Sequence, residues 1–579
     1  MKKSNKRKMK TFFARSKILS FFTGTASYLY EAAKSSLAGK LLTSYDDTPE
    51  ENSLLCRFTD RLETGRRFFR PFKRTVSRLV DGSVILGWMQ RYLAGWLYTK
   101  LNIIGLFFMT SGIGIALIRL LRAYALGRSA PAFLDLFISF WFVLMAVPLL
   151  FSKIPLNKAV CDSKTARTVL FDWLGCKKEI FEKGDAVSSH NKTALPIGIA
   201  FSLASWWVSP LSLFLMLGAF ILLTAVFFIP ETGVVLLLFF IPFASQKLLG
   251  AFVTYIALCY LCKYIRGKRT FKIDAVGWSV LAFGCIFYGM YDDITVVYGI
   301  ASYFLTVNLI KSKAWTVRCI RSVGFSFFAV ALYGTVRYLS VVFGVDYLTE
   351  LFGCLPDEGM IALFGSSEVF ASYLITALTV TATTKGELRG FITFTAVILG
   401  AFCIVFTKQY IALFGLLCAL VFFMIFYGKK SLAGIGIPVL LAPFVFLNLP
   451  RSLLGGMDYN RITQYLTDGE GKGIFVFETP LFVVAAVFMV AAMFFCLQKN
   501  LRLYSKGCGG YGRLVTLSAM AASVPVFLPV VFANIFGDLR VGLMFWVIFG
   551  LASCAGAGER SAMVNKQCED CNYLEEGSF

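Results

Sequence analysis

The sequence predicts an all-α fold, a polytopic bundle of transmembrane helices, and three observations predict it. Of its 579 residues, 57% are hydrophobic and 16% charged, and mean hydropathy is +0.70. One soluble core cannot hide that much apolar surface, whereas lipid can solvate it. The apolar residues also come in continuous runs of about 20, enough for a helix rising about 1.5 Å per residue to cross about 30 Å of hydrocarbon. Membrane barrels show short alternating segments instead.

The chain opens on MKKSNKRKMK, the basic part of a secretion signal in appearance. No apolar core or small-residue cleavage site follows, so this end is expected to be retained. Residues 1–100 hold 20 Lys and Arg against 8 Asp and Glu, about half of the net charge of +23. Between Ser53 and Val80, apolar residues from Leu54 to Leu79 recur every three or four positions with arginines between them, and Pro71 divides the run. This is a basic amphipathic helix, lying on the membrane surface or packed on its own bundle. It fits anionic membrane lipid or a cytosolic protein as partner; with no nucleic-acid fold motif, nucleic acid is not expected.

Two spans follow, Leu101 to Leu121 and Ala132 to Ser152, forming an N-terminal module over 101–152. Residues 153–193 read as a cytoplasmic linker, with 8 Lys and Arg and 5 Asp and Glu and the chain's one histidine, His190. The main bundle occupies 194–560 and a cytoplasmic tail 561–579. Pro210 and Pro230 punctuate short apolar stretches between 194 and 245, so the total is 14 to 16 spans. Cys259, Cys285, Cys403, Cys418 and Cys496 lie in apolar runs, where cysteine acts as a small hydrophobe. Cys568 and Cys571 have a CxxC spacing with no second ligand pair, which reads as solvated tail. No metal and no cofactor are expected.

Short cytoplasmic loops collect Lys and Arg. Basic loops at Lys263–Lys272, Lys311–Arg321, Lys385–Arg389, Lys429–Lys430 and Lys499–Arg513 alternate with acidic ones at Asp292–Asp293, Asp346–Glu358, Asp458–Glu478 and Asn534–Arg540. The alternation places the second set outside and both termini in the cytoplasm. Arg119, Arg122 and Arg128, after the first span, break the pattern.

Four segments of the second half carry a family likeness. They are FGSSEVFASYL (Phe364–Leu374), FTKQYIALFG (Phe406–Gly415), Asn460-Arg461-Ile462, and DLRVGLMFWVIFGL (Asp538–Leu551). In order and spacing they resemble the span starts "FGNPNxxAxYL" and "TxSRGAWLG", the loop entry "YRI" and the closing "NxRVxxxFWxxxGL" of the O-antigen ligase and polymerase-like superfamily. The resemblance covers roughly 230–560 and implies a GT-C-like bundle in a bacterial cytoplasmic membrane. It further implies a metal-independent glycosyltransferase of surface-polysaccharide assembly, with an undecaprenyl-diphosphate-linked glycan as donor. In that family, cations hold the departing diphosphate and an external-loop histidine acts on the acceptor hydroxyl as general base.

The sequence departs from the pattern at each of those points. Tyr410 stands where the "SRG" arginine would be, with Lys408 two residues away, and Ser366-Ser367-Glu368 replaces "NPN". The late polar loop, Pro450–Gly473, has 24 residues and no histidine. Arg461, Arg337, Lys408, Tyr410 and Arg451 are the candidate diphosphate and glycan ligands. With Glu358, Asp458 or Glu470 as a substitute base, transfer survives; without one, the fold remains as a binding or scaffold protein. A transporter or flippase is the other class, for which Pro210 with Pro230 and Pro438 with Pro443 offer broken-helix positions. No internal repeat and no phosphate-cradling glycine-lysine motif accompanies them.

Overall fold

A computed structural model of the chain describes residues 95–127, 133–176, 178, 181, 194–265, 271, 273–291, 293–344, 362–384, 390–407, 409–427, 480–505, 511–527 and 535–554. Regular structure among them is helical, apart from one isolated bridge between Lys100 and Pro155. Among the described residues five helices are long and apolar enough to cross a membrane, so the chain is an all-α membrane protein. The amphipathic stretch 53–80, His190, the late polar loop and the CxxC tail lie outside the described residues.

Two compact units divide the described chain. The smaller takes in residues up to Gly233 together with 261–265, the larger 234–260 and those from 271 onward. In the smaller unit, α1 (Leu101–Ala125) packs along α2 (Phe133–Phe151), near the expected spans. Of the segment read as a linker, residues 153–176, 178 and 181 are described and are largely helical. They form α3 (Leu156–Asp162), α4 (Lys164–Arg167) and a π-helical turn at Thr168–Trp173. The Leu156 N–H donates to the Thr99 carbonyl at 2.9 Å, Asn157 Nδ2 to the Phe181 carbonyl at 2.8 Å, and Thr232 Oγ1 to the Leu174 carbonyl at 2.8 Å.

Next come α5 (Ala194–Ala204), against α1, and α6 (Pro210–Phe228), against α2. Ser209 caps α6, accepting from the Ser212 N–H, and Pro210 occupies the first helical position, where its missing N–H costs nothing. Rings of Phe107, Phe108, Phe142, Phe201 and Phe214 interlock, which ties α5 and α6 to the first two spans. Hydropathy grouped 194–233 with the main bundle; contacts group it with 101–152.

The chain passes into the larger unit within α7 (Pro230–Phe240), and α8 (Gln246–Ile265) belongs to it up to Tyr260, its last residues counting with the smaller unit. Then follow α9 (Ala275–Tyr291), α10 (Ile294–Leu309), α11 (Lys313–Val342), α12 (Ser367–Thr384), α13 (Gly390–Phe406), α14 (Tyr410–Tyr427), α15 (Pro480–Ser505), α16 (Tyr511–Ser523) and α17 (Leu539–Cys554). The stretch 311–321 was expected as a loop, but most of it is the first turns of α11. Ser312 caps that helix, accepting from the Trp315 N–H, and apolar residues keep helical spacing among the cations.

At the centre of this unit, α12 touches α11, α13, α14, α16 and α17. Next to it α17 is buried along its whole length, and Trp546 packs against Phe283, Tyr303 and Phe536. On α10, Gly299 lies directly against the Trp546 indole, so a Cβ there would overlap the ring. The absence of a side chain sets how closely α10 and α17 approach.

Candidate functional site

Three of the sequence segments that carry the family likeness meet at the N-terminal end of α12. Ser366 caps that helix, its Oγ accepting from the Val369 N–H at 3.2 Å. The turn before it, Ala362–Ser366, is held from two sides. From α11, Arg337 Nη1 donates to the Ala362 carbonyl. From α17, Arg540 Nη1 donates to the Leu363 carbonyl at 3.0 Å, and its guanidinium lies over the Phe364 ring at 4.7 Å. Gln409 Nε2 reaches Ser367 Oγ at 3.4 Å just before α14 begins.

Ala362 has φ of 49°, a left-handed conformation that costs a non-glycine residue about 1–3 kcal/mol unless its surroundings fix it. Arg337 supplies part of that fixing. Gly334, one turn earlier on α11, supplies room: a Cβ there would lie 3.3 Å from the Ala362 Cβ. The turn is thus pressed against α11 and pinned by guanidinium groups.

Asp538 organises the Arg540 side of the corner. Its Oδ1 accepts from the Arg540 N–H at 2.8 Å, capping α17, and from Arg540 Nε at 3.2 Å. Its Oδ2 accepts from Arg540 Nη2 at 2.9 Å and from Gln246 Nε2 of α8 at 3.0 Å. With side chains 13% and 9% exposed, this is a buried bidentate pair, the geometry that best offsets the desolvation of both charges. Arg540 therefore spends its charge on Asp538 and acts as a clamp on the turn. Glu368 stands on the first turn of α12, where a carboxylate suits the helix dipole. The described corner balances two arginines with two carboxylates.

Of the residues singled out from sequence, the structure brings Arg337 to this corner and places Tyr410 at the start of α14, its side chain outside the described residues. Glu358, Lys408, Arg451, Asp458, Arg461 and Glu470 lie outside the described residues. Along α11, Arg337 is 16 residues from Arg321, about 24 Å at about 1.5 Å per residue. The segment between them carries no charge. That distance approaches the hydrocarbon thickness of a bilayer.

Sequence reading missed the roles of Asp538, Gln246 and Gln409. Asp538 had a usable signal, since an aspartate immediately before an apolar helical run is an N-cap. Gln246 had none: its partner is 292 residues away. No protein-family model, curated protein or solved structure matches this chain.

Proposed function

We propose that the chain is a glycosyltransferase-like membrane protein of surface-polysaccharide assembly that binds an undecaprenyl-diphosphate-linked glycan and whose transfer chemistry is altered from that of the ligases and polymerases it resembles. The supporting observation is the convergence of the FGSSE, KQYI and DLRV segments on one corner, with Arg337 beside them. Segments far apart in sequence that carry one family's signature have reason to meet if they serve one site. In this reading the bundle has 14 to 16 spans, a GT-C-like arrangement, a bacterial cytoplasmic membrane around it and both termini in the cytoplasm. Diphosphate and glycan recognition in this reading rests on Arg337 with Arg461, Lys408, Tyr410 and Arg451. Glu358, four residues before Ala362 in sequence, is the foremost substitute base.

A second reading, a binding or scaffold protein without transfer, draws on the charge balance of the corner. Both are tested by incubating purified full-length protein with undecaprenyl-diphosphate glycan and candidate acceptors, measuring binding and transfer separately. Binding that falls at least tenfold in Arg337→Ala supports the site, and transfer then separates enzyme from scaffold. Binding untouched by both Arg337→Ala and Arg461→Ala removes the assignment. Net accumulation of the glycan inside vesicles without elongation replaces it with transport.

A further inference from the structure

The other end of α11 carries a feature that the proposed glycan site does not use. From Lys311 to Arg321 the sequence KSKAWTVRCIR has four cations and no acid. Aromatic rings hold two of these cations. Arg318 lies over the Trp315 ring at 4.5 Å, and Lys313 lies over the Tyr511 ring, at the start of α16, at 5.7 Å. Such contacts are worth about 0.5–1 kcal/mol at exposed sites. Indole and phenol rings belong at headgroup level.

Below this collar, α11 presents an apolar strip on the same side of the helix. At about 100° per residue, Arg318, Phe325, Leu332 and Val336 fall within about 40° of one another, with Arg321 about 60° from Arg318. Phe325, Leu332 and Val336 are exposed. The opposite side, with Val323, Phe327, Val330 and Ala331, is buried in the unit. One face of one helix therefore has cations and an indole at its head and about three turns of apolar surface below.

We propose that this face is a binding site for an anionic phospholipid, its phosphate between Arg318 and Arg321 and an acyl chain along Phe325, Leu332 and Val336. Charge complementarity selects the headgroup: a zwitterionic lipid offers the same phosphate but brings its own cation to a collar that already has four. The apolar strip selects a lipid over a free phosphate. The site stands independently of the glycan reading, since α11 holds the two at opposite ends.

The test uses the full chain in phosphatidylcholine nanodiscs with spin-labelled phosphatidylglycerol as probe, reading its immobilised fraction against labelled phosphatidylcholine. Wild type is expected to prefer phosphatidylglycerol, and the preference should fall about fivefold for each of Arg318→Gln and Arg321→Gln, the contribution of one cation near a lipid surface. The paired Lys substitutions at 318 and 321 keep the charge and should keep most of the preference, which separates lost binding from lost folding. Lys153→Gln, an exposed cation of the smaller unit, should change nothing. An equal fall in Lys153→Gln, or a preference unchanged in the double Gln variant, overturns the site. Displacement of the labelled lipid by soluble glycerol phosphate at millimolar concentration would reassign the collar to free phosphate and overturn the lipid claim.

Discussion

Helices α6 and α12 have nearly equal length and opposite surroundings. The 19 residues of α6 are almost wholly apolar, yet only Pro210, Leu213 and Val226 are buried. The 18 residues of α12 include seven Ser and Thr, yet thirteen are buried, and α12 is not among the five helices whose length and hydropathy mark them as spans. In a bilayer, lipid tails are as apolar as leucine, so an exposed apolar face gains nothing by turning inward. Small and hydroxylated residues let backbones approach and back-bond to the preceding turn, as Ser372, Thr379 and Thr384 do here. Between these two helices, the purely apolar one lies on the surface of its unit and the one rich in hydroxyl and small residues lies inside.

The sharpest way to break that contrast is to truncate one ring in each helix. Tyr373 of α12 is fully buried and its hydroxyl lies 3.2 Å from Ser326 Oγ. Phe220 of α6 is 57% exposed. Tyr373→Ala should destabilise the larger unit by about 3–5 kcal/mol, as ring truncation in packed cores does. Phe220→Ala should stay within about 0.5 kcal/mol. Reversible unfolding in mixed micelles measures both. A comparable loss in Phe220→Ala would mean that protein, not lipid, covers the α6 face.

An ion pair in each unit sharpens the contrast in electrostatic terms. Asp538 accepts from the Arg540 N–H, Nε and Nη2 and from Gln246. Asp135 meets Arg119 Nε at 3.5 Å, while Arg119 Nη2 also donates to the Val208 carbonyl. Asp538→Ala leaves Arg540 the Leu363 carbonyl and the Phe364 ring but removes the carboxylate from its backbone N–H, Nε and Nη2 and from Gln246, uncaps α17, and should cost about 3–5 kcal/mol. Asp135→Ala leaves Arg119 its carbonyl partner and should cost about 1–2 kcal/mol. Thermal unfolding of the two variants side by side checks the order; equal losses would mean that Arg119 depends on its carboxylate no less than Arg540 does. The Arg119 pair also gives a physical account of the cations that break the charge alternation after the first span. One of them is neutralised within its own helix pair, so it is a poor marker of which side of the membrane it faces.

The helices themselves were legible in the sequence, because spans of about 20 apolar residues and charged separators leave strong marks. The apolar runs read at Leu101–Leu121 and Ala132–Ser152 are the helices Leu101–Ala125 and Phe133–Phe151. Boundaries failed where a cap outweighed a charge, as at Ser312, where a basic segment is helical. The candidate corner was legible in parts only. Arg337 stood out as a candidate cation, and the four segments stood out by resemblance. What joins them did not: the carbonyls of Ala362 and Leu363 are backbone acceptors that every residue carries, and the Gln246–Asp538 contact links positions with no shared local pattern. Residues from 428 to 479, where most of the other candidates fall, lie outside the described structure.

The smallest expected effect separates two hydroxyls on α12. Thr379 Oγ1 donates to the Ile375 carbonyl at 2.7 Å. Thr381 is equally buried, but its Oγ1 has no hydrogen-bond partner among the described residues. Valine matches threonine in shape and differs by the hydroxyl. Thr379→Val removes a satisfied donor and should cost about 0.5–1 kcal/mol, the usual worth of such a bond within a bilayer. Thr381→Val removes an unsatisfied one, whose burial is unfavourable, and should leave stability unchanged or raise it by up to about 1 kcal/mol. The two substitutions are chemically identical and two residues apart, so unfolding midpoints that move in opposite directions would isolate hydrogen bonding from hydropathy as the property that α12 relies on. Midpoints that rise together would mean that its hydroxyls are tolerated in the core rather than required there.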